Sequence, residues 1–183
     1  MEHRKSRYYV GLLSAAQYHG AAHHRPQEFQ VVTDGNRPAI TCGAVKVVFV
    51  SRGNLALVPV ERFNNPRGSV VVSSAEATAI DLVGNMRRAG GLDRVAGALS
   101  ELSEKLDPGL LAKASESAPV LWAQRLGYLL DFAGAGEKTT HLKESVRRRA
   151  KNYTKLLPGA DAGGSPSAKD WRLIVNAKIE MEA

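Results

Sequence analysis

A chain of 183 residues with 44% hydrophobic side chains is long enough to bury one sizeable core. The single cysteine, Cys42, excludes an internal disulfide framework, and no apolar run approaches the roughly 20 residues needed to cross a bilayer. The formal charge of +7 is concentrated: residues 1–25 carry four Lys/Arg against Glu2, residues 143–155 carry six against Glu144, and the remainder is close to neutral. Together these point to a cytoplasmic protein with no membrane segment and a local surface for a polyanion or an acidic partner. The charged start MEHRKSR is not followed by the apolar stretch of a signal peptide.

In chain order, residues 1–7 read as a polar lead-in. Tyr9 to His19 reads as a short helix, with Leu12, Leu13, Ala16 and Tyr18 as buried candidates and Gly20 as its stop. Phe29 to Val32 reads as a strand ending at the turn Asp34-Gly35-Asn36, Val45 to Val50 as a second strand, and Leu55 to Val60 as a shorter third. The loop Asn64-Asn65-Pro66-Arg67-Gly68 leads into Val70-Val71-Val72, a β-branched run suited to a sheet interior. Ser73 and Ser74 then offer hydroxyls to a starting helix, and Ser73 with Glu76 has capping-box spacing. Ala79, Ile80, Leu82, Val83 and Met86 form the apolar side of that helix. Asp81, Asn85 and Arg88 take the other side, with Asp81 on an exposed or boundary face beside Arg87 or Arg88.

After Gly90-Gly91 the pattern becomes helical throughout. Leu92, Val95, Ala96, Leu99, Leu102 and Leu106 keep helical spacing, and Asp107-Pro108 reads as an N-cap followed by proline at the first helical position. Val120 to Ala133 has a wide apolar face and stops at Gly134 and Gly136. In Thr140 to Ala150, Arg147, Arg148 and Arg149 run into the C-terminal turn, where the helix dipole favours cations. Residues 160–168 read as a flexible loop, and Trp171 to Ile179 as a strand returning to the sheet. Strands first and helices later predict an α+β fold: a mixed or antiparallel sheet from the first half and the C-terminal strand, packed by a largely helical second half. Residues 1–183 are expected to form a single domain.

Catalytic constellations are weak. His19, His23 and His24 lack a neighbouring thiolate or HExxH glutamate, and Gly20 breaks the helix that an i, i+4 zinc pair needs, so a satisfied or surface histidine is the expectation. Cys42 reads as a small buried hydrophobe. There is no GxxxxGK[ST] or GxGxxG loop for phosphates. Asp34, Glu61 and Asp81 are the nuclease-type carboxylates, but none begins a metal-binding triplet on a strand. No metal or cofactor is expected. The run KESVRRRAKNYTK at 143–155 sets cations around Tyr153, a mix that can neutralise phosphates while an aromatic ring packs on a sugar or base. The nucleic-acid-binding candidates are Arg4, Lys5, Arg7, Lys143, Arg147, Arg148, Arg149, Lys151 and Lys155.

Three stretches carry a family resemblance: YYVGLLSAAQYHGAAHHRPQEFQVVT at 8–33, VVVSSAEATAIDLV at 70–83 and DWRLIVNAKIE at 170–180. Together they resemble the AbiEi antitoxins of type IV toxin–antitoxin, or abortive infection, systems. The resemblance implies a non-catalytic antitoxin that counteracts a nucleotidyltransferase toxin of the AbiEii type and takes part in regulating transcription. In that family a winged helix that binds the operon's own promoter precedes the antitoxin domain. Here the similarity begins almost at once, at Tyr8, so the expectation is an antitoxin domain without that reader, meeting DNA through nonspecific phosphate contacts. The alternative reading is a diverged metal-dependent nuclease or nucleotide-handling enzyme.

Overall fold

The computed structural model describes residues 7–21, 27–66 and 68–180. In its first half, β1 (Tyr8–Val10), β2 (Glu28–Thr33), β3 (Ile40–Cys42), β4 (Val45–Ser51), β5 (Val60–Asn65) and β6 (Gly68–Ser73) form one mixed sheet in the order β3-β4-β2-β1-β6-β5. β1 runs antiparallel to β2 and parallel to β6, and β2 runs parallel to β4; β3–β4 and β5–β6 are antiparallel pairs. Among the described residues the α-helices are α1 (Leu12–Tyr18), α2 (Ala75–Gly84), α3 (Leu92–Leu102), α4 (Pro108–Ser115), α5 (Val120–Phe132) and α6 (Thr140–Arg149). The fold is α+β, with the sheet built by the first half and every helix but α1 and α2 in the second.

Side chains alternate faces along a strand, so the register sorts the sheet into two sides. Tyr9, Val32 and Val50 stand in one row across β1, β2 and β4 and join the main core with the helices. Val10 and Val72 stand on the other face and pack with Ala15 of α1, flanked by Phe29, Phe63 and Val70. α2 is the central helix. Every residue from Ala75 to Val83 is buried, because α1, α3, α4 and α5 all pack around it. Each Leu or Ile fully withdrawn from water there contributes roughly 1.5–3 kcal/mol.

Several local expectations are corrected. Tyr8–Val10 is a strand, not the start of the first helix, and Leu55–Leu57 is a single 3-10 turn, with the neighbouring strand beginning only at Val60. Ser74, not Ser73, caps α2 by accepting the Ala77 N–H at 3.2 Å. Glu76 closes no capping box; its Oε1 accepts the Asp107 N–H at 3.1 Å and so ties the start of α2 to the turn before α4. Asp107 caps α4 by accepting the Leu110 N–H at 2.8 Å, with Pro108 at the first helical position as the sequence indicates.

The C-terminal segment forms its own sheet and does not join the first one. β7 (Thr154–Lys155), β8 (Ser167–Ala168) and β9 (Leu173–Ile174) pair in the order β7-β9-β8. Two side chains of α5 hold this strap. Gln124 Nε2 donates to the carbonyls of Asn152, Trp171 and Arg172, and Arg125 Nε donates to the Lys155 carbonyl at 2.9 Å. Within the strap, the Asn176 amide bridges both the N–H and the carbonyl of Leu157.

Candidate functional site

The cations singled out from the sequence divide into exposed and engaged groups. Arg4 and Lys5 lie outside the described residues. Arg7, Arg147, Arg148 and Lys151 are exposed, and Arg148 makes one solvent-facing contact with Glu116 at 3.4 Å. The other three are used internally. Arg149 donates to the carbonyls of Ser115 and Ala118 at 3.2 and 2.9 Å, satisfying acceptors that the end of α4 leaves open. Lys155 Nζ donates to the Ala160 carbonyl at 2.9 Å. Lys143 lies between two carboxylates, 3.2 Å from Asp170 and 3.7 Å from Asp131, with its ammonium 5.1 Å from the centre of the Trp171 ring. The basic run is thus partly a surface and partly a set of internal ties.

Lys143 marks the edge of a cleft of about 450 Å³ between the C-terminal end of α5 and the 169–171 turn. Tyr128, Asp131 and Phe132 line it from α5, and Lys169, Asp170 and Trp171 from the turn. The spacing of 128, 131 and 132 puts all three on one side of α5. Trp171 is the fixed part: its Nε1 donates to Asp131 Oδ2 at 2.7 Å, and its ring lies against Gly127, where an added Cβ would come within 2.1 Å of ring carbon. The other Asp131 oxygen accepts from the Thr139 hydroxyl at 2.9 Å. Phe132 is 46% exposed at the cleft wall, and burial raises the pKa of the Tyr128 hydroxyl. Spacing did not reveal this cleft, because its two walls lie about forty residues apart.

A second cluster of similar chemistry is sealed inside the fold. Arg52, just after β4, donates to Asp81 of α2 at 2.6 Å, to the Tyr9 hydroxyl at 3.1 Å and to Ser117 Oγ at 2.8 Å. Tyr9 in turn donates to the other Asp81 oxygen at 2.7 Å, and the guanidinium lies 5.6 Å from the Trp122 ring centre. Asp81 is therefore fully buried and paired with Arg52; the expected boundary position beside Arg87 or Arg88 is overturned. Burial pushes the Asp81 carboxyl up to about 6, against the opposing pull of Arg52 and the Tyr9 hydrogen bond. Burial, then the neighbouring carboxylate, pushes the Tyr9 hydroxyl far above its ordinary range. With its two charged side chains almost fully withdrawn from water, this cluster fastens sheet to helices.

The remaining candidates do not converge. His19 is buried and hydrogen-bonds the Ser73 carbonyl at 2.7 Å, while His23 and His24 lie outside the described residues. Cys42 is exposed on the edge strand β3, contrary to the expected buried position, because β3 has no outer neighbour in the sheet. Asp34 and Glu61 are exposed, whereas Asp81 is sealed. Among the described residues no three His, Cys, Asp or Glu side chains come together as metal ligands would, and no helix is long and apolar enough to cross a membrane.

Residues 9–132 match the family of AbiEi antitoxin C-terminal domains. That span includes the sheet, α1–α5 and the buried Arg52–Asp81 pair; α6, the strap and the 170–180 stretch lie beyond it. The crystal structure of the RV2827C protein from Mycobacterium tuberculosis is similar in fold, with a TM-score of 0.62 at 17% identity. The superposition covers 91% of this chain but 61% of that one, so the chain spans less than two thirds of the length of its structural relative. No curated protein matches the chain.

Proposed function

Since the chain belongs to the family of AbiEi antitoxin C-terminal domains, we propose that it is the antitoxin of a type IV toxin–antitoxin pair, counteracts a nucleotidyltransferase toxin, and takes part in transcriptional regulation through a basic nucleic-acid-binding surface. The observation that carries the antitoxin role is the family match over residues 9–132. The regulatory part draws support from the exposed Arg147, Arg148 and Lys151, which stand free of the buried network and are available to phosphates. Lys143, Arg149 and Lys155 contribute charge to the same region while holding α6 and the strap in place.

Co-expression with a nucleotidyltransferase toxin of the AbiEii type from the same genome tests the antitoxin role: restored growth is expected, and unrelieved toxicity with both proteins present would refute it. The nucleic-acid part is tested by titrating the purified chain with operon-upstream DNA at several salt concentrations. Affinity should fall as salt rises, and Arg147→Ala with Lys151→Ala should flatten that dependence. A salt-independent result, or no binding, would remove the basic surface from the function.

A further inference from the structure

We propose that the cleft between the end of α5 and the 169–171 turn seats one unpaired nucleobase, so that the basic surface of α6, which meets duplex phosphates as well, prefers single-stranded nucleic acid. This rests on the reading of α6 as a nucleic-acid surface. The size fits: about 450 Å³ accommodates a ligand larger than a base alone. Phe132 presents an open ring at the wall, 46% exposed, with Tyr128 one turn back on the same side of α5. Stacking on such rings is how single strands are held without sequence reading.

The polar groups are arranged for the edge of a base. Asp131 has a donor on each oxygen, Trp171 Nε1 on one and the Thr139 hydroxyl on the other, which fix its orientation. Asp170 is different: its side chain is 63% exposed, and Lys143 at 3.2 Å is its one partner among the described residues. A carboxylate in that position accepts from an exocyclic amino group such as cytosine N4, while thymine offers it only the N3–H, flanked on both sides by carbonyl oxygens that the carboxylate repels. Lys143 offsets the carboxylates locally, and Lys169 lies at the exposed rim. Arg147, exposed and one helical turn after Lys143 on α6, adds a cation near the one that borders the cleft and so can meet the backbone leaving it. A basic peptide is the poorer occupant, because Lys143 and Lys169 leave no surplus negative charge to receive it.

The test is fluorescence anisotropy of labelled oligo(dC), oligo(dT) and a blunt duplex of equal length, at one salt concentration. Oligo(dC) should bind about tenfold tighter than the duplex, and Phe132→Ala should remove about that advantage while leaving duplex binding unchanged. Asp170→Ala should weaken oligo(dC) binding although it removes a negative charge; uniform tightening of all three ligands would overturn the proposal. Equal affinities with a silent Phe132→Ala, alongside weakening by Arg147→Ala, would overturn the cleft and leave the basic surface standing. Absence of binding to every oligonucleotide would defeat both. Phe132-dependent binding of an arginine-rich peptide without oligonucleotide binding would assign the cleft to a protein partner instead. All three substituted side chains are exposed, and an unchanged unfolding transition confirms that the fold is kept.

Discussion

Arg52 and Lys143 each place a cation against carboxylate oxygen and beside an indole ring, at 5.6 and 5.1 Å from the ring centres. Each of those rings also rests on a glycine, Trp122 on Gly84 and Trp171 on Gly127. The surroundings differ. The side chains of Arg52 and Asp81 are 4% and 1% exposed, whereas those of Lys143 and Asp170 are 25% and 63% exposed. The same residue chemistry therefore acts as a fastener where water is excluded and remains open to exchange partners where it is not. Burial, more than residue type, separates a structural ion pair from a candidate site.

The sharpest way to break this contrast is to remove one partner on each side. Asp81→Ala leaves the Arg52 guanidinium buried without its counter-charge and should cost about 3–5 kcal/mol in urea unfolding. Replacing both partners, Arg52→Met with Asp81→Leu, should recover much of that loss. A cost for Asp81→Ala below 1 kcal/mol would mean that water reaches the pair.

Next in size is the pH dependence. The Asp81 carboxyl titrates near its ordinary value of 3.8 when unfolded and near about 6 when folded. Between those values the folded chain holds more protons than the unfolded one, so this component of stability is present at low pH and falls as pH rises through the window, by up to about 3 kcal/mol. Unfolding free energies of wild type and Asp81→Asn, compared from pH 4 to 7, should diverge in that direction; parallel curves would contradict it.

Smaller again is Gly127→Ala, which sets a methyl 2.1 Å from the Trp171 ring. It should destabilise by about 1–3 kcal/mol despite the better helix propensity of alanine, and hydrogen exchange should rise first in the strap. The smallest effect is expected of Lys143→Ala, under about 1 kcal/mol, since its partners are partly solvated. A loss comparable to that of Asp81→Ala would make the two clusters equivalent.

The helices of the second half are legible in the sequence because each declares a 3.6-residue period and a punctuating residue, as Asp107-Pro108 does for α4. The short strands are not. Tyr8–Val10 is too brief to show an alternation, and it adjoins an alanine-rich run that favours the helical reading. WRLIVNAKI has the apolar content of a long strand, yet only Leu173 and Ile174 pair, since the rest is held by hydrogen bonds from Gln124 and Asn176. The exposure of Cys42 follows from the spatial order of the strands, which local pattern does not encode. Charge density located the α6 region. It did not tell Arg147, which is exposed, from Arg149, which is tied to the end of α4, nor did it join Asp81 to a partner twenty-nine residues away.

β1 joins two locally closed halves of the sheet, β2-β4-β3 on one side and β6-β5 on the other, and it meets β6 through the single pair Val10↔Val72. It is also the first of the six strands in chain order, and so precedes the other five out of the ribosome. The β3–β4 and β5–β6 pairs can form from near neighbours in sequence, but Tyr9 and Val10 must wait until residue 72 has been made before both flanks exist. Closing that long separation is slow compared with hairpin formation. β1 can pair with β2 once residue 33 is made, so the nascent chain is expected to carry an unpaired β1 edge until β6 arrives, an interval in which an extended peptide or a chaperone would find backbone groups free to pair.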